Sequence, residues 1–212
     1  MTLLCGIDDS GRGPVIGPMV MAGTLIDEEN LSKLENLKVK DSKLLSAKRR
    51  DFLFNRIIKV VKAYEIIVIN VEEVGNSVNL NDLEAVKSGE IINILNPDKA
   101  IIDCPSPNIK AWKEQLRGCL NNKKIELVVE HKSEKYPSVA AASILAKVTR
   151  DREIEEIKKK YKVDFGSGYM SDPKTKKFLE ENFEKYEKIF RKNWAPYKDK
   201  VNGKKQRSLG EF

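Results

Sequence analysis

Acidic residues stand at the ends of three strand-like segments of this chain. Acids at the ends of neighbouring strands can converge at one edge of a sheet, where their charges repel unless a cation neutralises them. Carboxylate clusters suit Mg²⁺ or Mn²⁺, and a pair of such ions can activate a water and stabilise the leaving oxygen in phosphodiester cleavage. A single strand-end acid, by contrast, more often simply faces water. The candidate acids are Asp8, Asp9, Asp103, Glu130 and Glu134.

A glycine-rich turn follows the first two acids. Gly11 and Gly13 flank Arg12, and glycine lets the backbone adopt unusual dihedrals and approach a ligand closely. Amides exposed in such a turn could bond a sugar hydroxyl or a phosphate, and the guanidinium of Arg12 adds planar donors. The pattern is weak alone. It makes Asp8 harder to dismiss as a solvent-facing acid, because Asp8 follows an apolar run and opens this turn.

Strands and helices alternate along the chain, which predicts an α/β fold. Runs rich in β-branched residues predict the strands, and apolar residues at helical spacing predict the helices. The predicted strands are 3–8, 15–26, 65–71, 100–103 and 125–130. The predicted helices are 31–37, 47–64, 80–95, 107–120, 137–160 and 178–190.

The charge of the chain favours a nucleic-acid partner. The 212 residues carry a net charge of +7, and nine Lys or Arg residues against two acids lie between positions 185 and 207. A basic surface suits a polyanion. No apolar run is long enough for a membrane span, and the N-terminus lacks a secretory signal. We therefore expect a cytoplasmic monomer that contacts nucleic acid and no membrane.

Taken together, the motifs resemble those of the ribonuclease HII family. The segment GIDDSGRGPVIGP at 6–18 is similar to the family signature GIDEAGRGPVxGP, and KDSK at 40–43 has the family's form. HKSEKYPSVAAASILAKV at 131–148 is similar to HKADxKYPxVAAASIxAKV, and GSGYMSDP at 166–173 is similar to GSGYxSDP. The matches keep the family's order, and the archaeal branch is the most similar.

The resemblance implies a ribonuclease H-like fold, a mixed central sheet flanked by helices, with a small helical C-terminal subdomain. It also implies hydrolysis of the RNA strand of RNA–DNA hybrids and cleavage 5′ of ribonucleotides in duplex DNA, leaving 3′-hydroxyl and 5′-phosphate ends. The cofactor would be Mg²⁺ or Mn²⁺, two ions per site with substrate. The setting would be DNA replication and ribonucleotide excision repair.

The metal-binding acids implied by the resemblance are Asp8, Asp9, Asp103 and Glu134, and two of them depart from the family pattern. The second acid is usually Glu, and Asp9 is one methylene shorter. The fourth is usually the Asp of HKAD, whereas this chain reads HKSE and is one residue shorter, so Glu134 is the natural substitute. An alignment that places Ser133 there would leave three acids. These changes bear on metal affinity, on the choice between Mg²⁺ and Mn²⁺, and on rate.

The resemblance also implies substrate contacts. Gly11, Arg12 and Gly13 fall on the loop that senses the ribose 2′-hydroxyl, the group that separates RNA from DNA. Tyr169 falls on the tyrosine that stacks against the sugar past the RNA–DNA junction. Surface lysines that could contact phosphate groups, or could be ordinary solvated side chains, are Lys43 and Lys132.

The C-terminus carries a candidate partner motif. Gln206, Leu209 and Phe212 resemble the peptide that docks on sliding clamps of the PCNA type, with Leu209 and Phe212 on one face of a helical turn. The alternative is a disordered end with stray apolar residues. We divide the chain into a catalytic domain at 1–175, a helical subdomain packed on it at 176–200, and a flexible basic tail at 201–212.

Two other functions stay open. Because two of the four acids are altered, the chain could be a binding module that recognises hybrid duplexes and cuts feebly. It could also be a structure-specific DNA nuclease on the same fold, against which the intact Gly-Arg-Gly turn and Tyr169 argue. Hybrid binding without Mn²⁺-dependent cleavage would indicate the first, and cleavage of an all-DNA duplex the second.

Overall fold

A computed structural model describes residues 2–39 and 45–209 of the protein, with side chains as far as residue 203. Within that part of the chain, five strands form one sheet. The strands are β1 (Leu3–Ser10), β2 (Met19–Asp27), β3 (Ala63–Ile69), β4 (Lys99–Asp103) and β5 (Glu126–Glu130). The helices are α1 (Leu31–Asn36), α2 (Ala47–Val60), α3 (Val71–Asn76), α4 (Leu80–Leu95), α5 (Ile109–Cys119), α6 (Pro137–Tyr161), α7 (Pro173–Asn182) and α8 (Ala195–Leu209). This alternation confirms the predicted α/β class.

The sheet is mixed, in the order β3-β2-β1-β4-β5. β1 pairs antiparallel with β2 and parallel with β4, and β4 pairs parallel with β5. In this register Ile7 lies opposite Ile102, and Asp103 lies opposite Glu130. Because parallel strands end at the same edge of a sheet, the acids that end β1, β4 and β5 come to one edge.

The start of α6 packs directly on β1 because β1 has a glycine at the contact. A Cβ atom on Gly6 would overlap the backbone of Ser138 and Val139, so any larger residue would push α6 away from the sheet. The hydroxyl of Thr24 on β2 donates to the carbonyl of Ser138 at 2.9 Å, and residues 139–146 are all buried. This packing sets where the following turns of α6 stand above the end of β1.

The chain forms two compact units, and each is assembled from three segments. The described residues of the first unit fall within Met1–Ser10, Val20–Val68 and Asn79–Arg150. Those of the second unit fall within Gly11–Met19, Ile69–Val78 and Asp151–Phe212. The first unit has a core of aliphatic side chains that includes Leu53, Ile57, Val139, Ile144 and Leu145.

Aromatic rings dominate the core of the second unit. The ring centroid of Phe178 lies 5.8 Å from that of Phe165 and 6.1 Å from that of Phe190. Ile16 forms an isolated antiparallel bridge with Phe190. Helix α7 begins with a proline, and the carboxylate of Asp172 caps it by accepting the amide N–H of Lys174 at 2.9 Å.

Several predicted element boundaries are wrong. The strand expected at 15–26 begins only at Met19, because residues 15–17 bond instead to residues 189–191 far along the chain. The helix expected at 178–190 is α7, which ends at Asn182, and the helix expected to reach Tyr64 ends at Val60. Helix α8 runs through Leu209. The domain boundaries at 175 and 200 stay predictions. Among the described residues, no helix is long and apolar enough to cross a membrane.

Candidate active site

The end of β1 carries Asp8 and Asp9. Although successive residues of a strand start toward opposite faces, Asp8 and Asp9 both line one cavity at this end of the sheet. Asp8 is 7% exposed and accepts the amide N–H of Asp9 at 2.7 Å. The hydroxyl of Ser143, from α6, also bonds to Asp8. Two donors therefore orient this buried carboxyl group.

Asp103 ends β4 beside them. The parallel register that aligns Ile7 with Ile102 brings Asp103 level with Asp8. The amide of Ser133 donates to Oδ1 of Asp103 at 2.8 Å. The hydroxyl of Ser133 in turn donates to the carbonyl of Glu130 at 2.9 Å. The turn after β5 thus positions the acid at the end of β4.

The electrostatics of this edge are unfavourable without a cation. Burial raises the pKa of Asp8 well above its ordinary value, and the nearby charges of Asp9 and Asp103 raise it further. The bonds from Ser143 and from the amide of Asp9 act in the opposite direction but are outweighed. Like charges held together in a buried place favour a bound cation, which would stabilise the ionised form.

Asp8, Asp9 and Asp103 line one cavity of about 10 Å³, roughly the room of one water molecule. Two polar residues of α4 that the sequence reasoning missed also line it. Glu84 is 1% exposed, and Ser88 is fully buried. The Ser88 hydroxyl meets no hydrogen-bond partner within the described part of the chain. Their four-residue spacing was the available signal, since it puts both on one helix face.

Glu134 and Lys132 lie in the turn after β5. Glu134 is half-buried in a short 3-10 turn, Ser133–Lys135, and does not line the cavity. Lys132 is exposed and has a left-handed backbone, with a φ of 58°. Ser133 is buried, and its hydroxyl donates to the carbonyl of Glu130. The assignment of Glu134 as a fourth ligand stays a prediction.

The chemistry of Asp8, Asp9 and Asp103 fits a hard divalent cation, although these acids do not form a complete coordination shell. Among the described residues, no three His, Cys, Asp or Glu side chains are arranged to hold a metal ion by themselves. Mg²⁺ is usually held by one or two carboxylates together with waters and substrate phosphate oxygens. The three acids that line this cavity would offer only oxygen ligands, which is the chemistry that Mg²⁺ and Mn²⁺ favour.

The glycine loop at 11–13 belongs to the second unit. Gly11 has a φ of 92°, a conformation that residues with a side chain rarely adopt. Just after the loop, the amide of Val15 donates to the carbonyl of Gly168 at 2.9 Å. A Cβ atom on Gly13 would lie 3.8 Å from the ring of Tyr169. The structure therefore brings together the loop and the tyrosine that the sequence had paired in function.

Several predicted contact residues lie wholly or partly outside the described part of the chain. Lys43 and Phe212 lie outside the described residues. Gln206 and Leu209 lie on the backbone of α8, but their side chains are outside the described part. The phosphate-binding and clamp-binding roles of these residues stay predictions.

Comparisons with known proteins show the family of this chain. The family model described as Ribonuclease HII matches residues 5–197. Ribonuclease HII of Pyrococcus furiosus is 43% identical to this chain over 217 residues, which cover 98% of this chain and 96% of the relative. The crystal structure of ribonuclease H2 from Pyrococcus horikoshii OT3 superposes with a TM-score of 0.87 at 38% identity, covering 95% of this chain and 98% of that one. The structure of the PCNA:RNase HII complex from Archaeoglobus fulgidus superposes with a TM-score of 0.78 at 39% identity, covering 88% and 89%.

Proposed function

The chain belongs to the ribonuclease HII family, and on that premise we propose that it cuts the RNA strand of RNA–DNA hybrids and the 5′ side of ribonucleotides embedded in duplex DNA. The products would carry 3′-hydroxyl and 5′-phosphate ends. Family membership makes the protein a ribonuclease H, a phosphodiester hydrolase of the ribonuclease H-like fold. The observation that carries the finer proposal is the cavity shared by Asp8, Asp9 and Asp103.

In the proposed mechanism, Asp8, Asp9, Asp103 and Glu134 would hold two Mg²⁺ or Mn²⁺ ions, which supply an activated water and neutralise charge on the 3′-oxygen that leaves. The protein's own part is to orient the acids. Ser143 and the amide of Asp9 hold Asp8, and the amide of Ser133 holds Asp103. Such supporting bonds fix the ligands before substrate arrives.

Proton release from Asp8 should be linked to metal binding. Its raised pKa means that the carboxyl keeps its proton to higher pH than an ordinary aspartate when no cation is near. A carboxylate ligand must be deprotonated to bind a cation. Binding should therefore strengthen as pH rises through the pKa of Asp8.

Recognition of RNA is assigned to the second unit. Gly11, Arg12 and Gly13 would contact the 2′-hydroxyl of the ribonucleotide, and Tyr169 would stack on the sugar past the junction. The packing of Tyr169 beside Gly13 supports one shared role for these residues. Lys43 and Lys132 would contact phosphate groups, so affinity should fall as salt rises.

A sliding clamp of the PCNA type is the proposed protein partner. The relative from Archaeoglobus fulgidus was solved in complex with PCNA. In this chain Gln206, Leu209 and Phe212 would form the docking peptide at the end of α8. Replacing Leu209 and Phe212 together by Ala should abolish binding to an archaeal clamp while leaving cleavage intact. Unchanged binding of that variant, measured by surface plasmon resonance, would refute this assignment.

The enzymatic proposal is tested by cleavage of a labelled DNA duplex that contains one ribonucleotide, with Mg²⁺ and separately with Mn²⁺. Asp103→Asn and Glu134→Gln should each slow the cut by more than about 100-fold, since loss of even a supporting residue lowers activity by about 10–100-fold. Glu126→Gln is the matched control, because Glu126 begins β5, pairs with Lys99 at 3.0 Å and does not line the cavity.

Each outcome assigns the protein to one class. A cut 5′ of the ribonucleotide that only Glu126→Gln retains would support the four-acid site. Full activity of Glu134→Gln would remove Glu134 from the site and leave three acids. Tight binding without any cut in either metal would make the protein a hybrid-binding module, and a cut in an all-DNA duplex would make it a general DNA nuclease.

A further inference from the structure

Arg191 is the largest charged side chain that the second unit buries. It is 0% exposed, and a guanidinium removed from water is unfavourable unless hydrogen bonds replace its hydration. Its backbone is fixed from both sides. The amide of Arg191 donates to the carbonyl of Val15 at 2.8 Å, and the preceding residue, Phe190, bridges to Ile16.

The guanidinium binds the glycine loop through backbone carbonyls. Nη2 donates to the carbonyl of Gly11 at 2.6 Å, and Nη1 donates to that of Arg12 at 3.0 Å. Nε donates to the carbonyl of Gly17 at 2.9 Å. A planar fork with fixed donors suits this multiple contact, whereas the ammonium of a lysine would act as a point charge.

Trp194 completes the contact from the next turn of the chain. Its Nε1 donates to the carbonyl of Gly13 at 3.3 Å, and its ring lies 5.0 Å from the guanidinium carbon of Arg191. All three carbonyls of the loop at 11–13 are therefore held by Arg191 and Trp194.

Holding a carbonyl also orients an amide. In a trans peptide unit the C=O of one residue and the N–H of the next point in opposite directions. Fixing the carbonyls of Gly11 and Arg12 therefore turns the N–H groups of Arg12 and Gly13 away from Arg191. The positive guanidinium also polarises these two peptide units, which strengthens their N–H groups as donors.

We infer that Arg191 is a positioning residue for ribonucleotide discrimination, and that it presents the amides of Arg12 and Gly13 to the 2′-hydroxyl of the substrate. Trp194 assists through the carbonyl of Gly13. This role rests on the proposed function, in which the loop at 11–13 senses that hydroxyl. Arg191 would thus act on the recognition of one oxygen atom, the 2′-oxygen that distinguishes a ribonucleotide from a deoxyribonucleotide.

The test compares the affinity of the full chain for two duplexes that differ by one 2′-hydroxyl, measured by fluorescence anisotropy in EDTA so that no strand is cut. Arg191→Lys should lower the preference for the ribonucleotide duplex by about tenfold, the equivalent of about one hydrogen bond. Trp194→Phe, which removes the indole N–H donor and keeps an aromatic ring, should lower it by about threefold. Affinity for the all-DNA duplex should not change in either variant.

A matched control separates positioning from stability. Phe178→Leu weakens the aromatic core of the same unit without touching the loop carbonyls, so it should lower the melting temperature and keep the full preference. If Arg191→Lys or Trp194→Phe keeps the parent's preference, the inference is overturned. If Arg191→Lys does not fold, Trp194→Phe decides alone. If the parent itself shows no preference, the proposed ribonucleotide recognition fails, which is a different result.

Discussion

The carboxylate edge of the sheet and the glycine loop at 11–13 differ in how their polar groups are stabilised by the surrounding protein. At the edge, burial and neighbouring acids raise the pKa of Asp8, and the hydroxyl of Ser88 meets no partner among the described residues. Around the loop, Arg191 binds the carbonyls. Asp172 there has a pKa lowered by the amides of Ser167 and Lys174.

The two regions are therefore suited to two different kinds of ligand. The loop is held in one shape by groups of the protein itself, which suits the recognition of a small uncharged feature. At the edge, neighbouring acidic groups repel each other, which suits a ligand that brings positive charge. Removal of an acid from the edge should therefore raise stability and lower activity, whereas removal of a supporting bond around the loop should lower both.

The largest effect is expected for Asp8→Asn. Cleavage should fall by more than about 100-fold, because a metal-binding acid is lost. In EDTA, however, the variant should be more stable than the parent at neutral pH. The folded pKa of Asp8 is raised, so its ionisation opposes folding. That penalty is absent below the unfolded pKa of about 3.9 and complete above the folded pKa.

Thermal unfolding in EDTA across this pH range measures the gain of Asp8→Asn. The advantage of the variant should appear only as pH rises above the unfolded pKa and should grow through the folded pKa. A variant less stable than the parent at pH 8 would contradict the assigned electrostatics of the edge.

Thr175→Val should have the next largest effect. The buried hydroxyl of Thr175 donates to the carbonyl of Phe165 at 2.7 Å and accepts the amide of Gly168 at 3.0 Å. Valine keeps the shape but leaves both backbone groups unpaired, so the free energy of unfolding should fall by about 2–4 kcal/mol. Urea denaturation measures this, with Thr175→Ser as the control that keeps the hydroxyl. Equal stability of parent and valine variant would break the contrast between the regions.

A pair of serine substitutions tests the edge more gently. Ser88→Ala removes a buried hydroxyl without a partner in the described structure, so the free energy of unfolding should stay the same or rise by up to about 1 kcal/mol. Ser143→Ala removes a donor to Asp8 and should lower it by about 1 kcal/mol. Urea denaturation at pH 7 compares the free energies of unfolding of the two variants. If Ser88→Ala is the less stable of the two, the hydroxyl of Ser88 makes a stabilising hydrogen bond.

Asp172→Asn should give the smallest change. Because the amides of Ser167 and Lys174 lower its folded pKa, ionised Asp172 stabilises the protein above the unfolded pKa of about 3.9, and this contribution disappears as pH falls through the folded pKa. The variant should melt slightly below the parent at pH 7, and the gap should close in acid. A gap that persists at the lowest pH where the protein folds would assign the effect to packing instead of charge.

The sequence predicted the parts of the edge that depend on local pattern. Apolar runs that stop at acids located β1, β4 and β5, and the alternation of elements indicated a sheet on which they could meet. The register that sets Asp103 level with Asp8 depends on pairing between distant segments and could not be read in advance. Glu84 and Ser88 were missed for a related reason, since helical spacing does not tell which polar face is buried.

The loop region was less predictable, because its partners are remote in the chain. Residues 15–17 have the composition of a strand, yet they bond to residues 189–191 instead of extending β2. Arg191 counted toward a basic surface stretch, whereas the structure buries it. A charged residue looks the same in the sequence whether it faces solvent or the interior.

The distance along the chain between Gly11 and Arg191, 180 residues, has a consequence for how the protein is made. At about 5–20 residues per second, roughly 10–40 seconds separate the synthesis of the loop from that of the arginine that holds it. Until Arg191 has been synthesised, water must take the place of its guanidinium as the hydrogen-bond donor to the carbonyls of Gly11 and Arg12. A chain released early by truncation before position 191 would carry its acids but no fixed loop. We expect such nascent fragments to lack ribonucleotide selectivity. The protein should gain this selectivity only after Arg191 has been synthesised and has bonded to the loop.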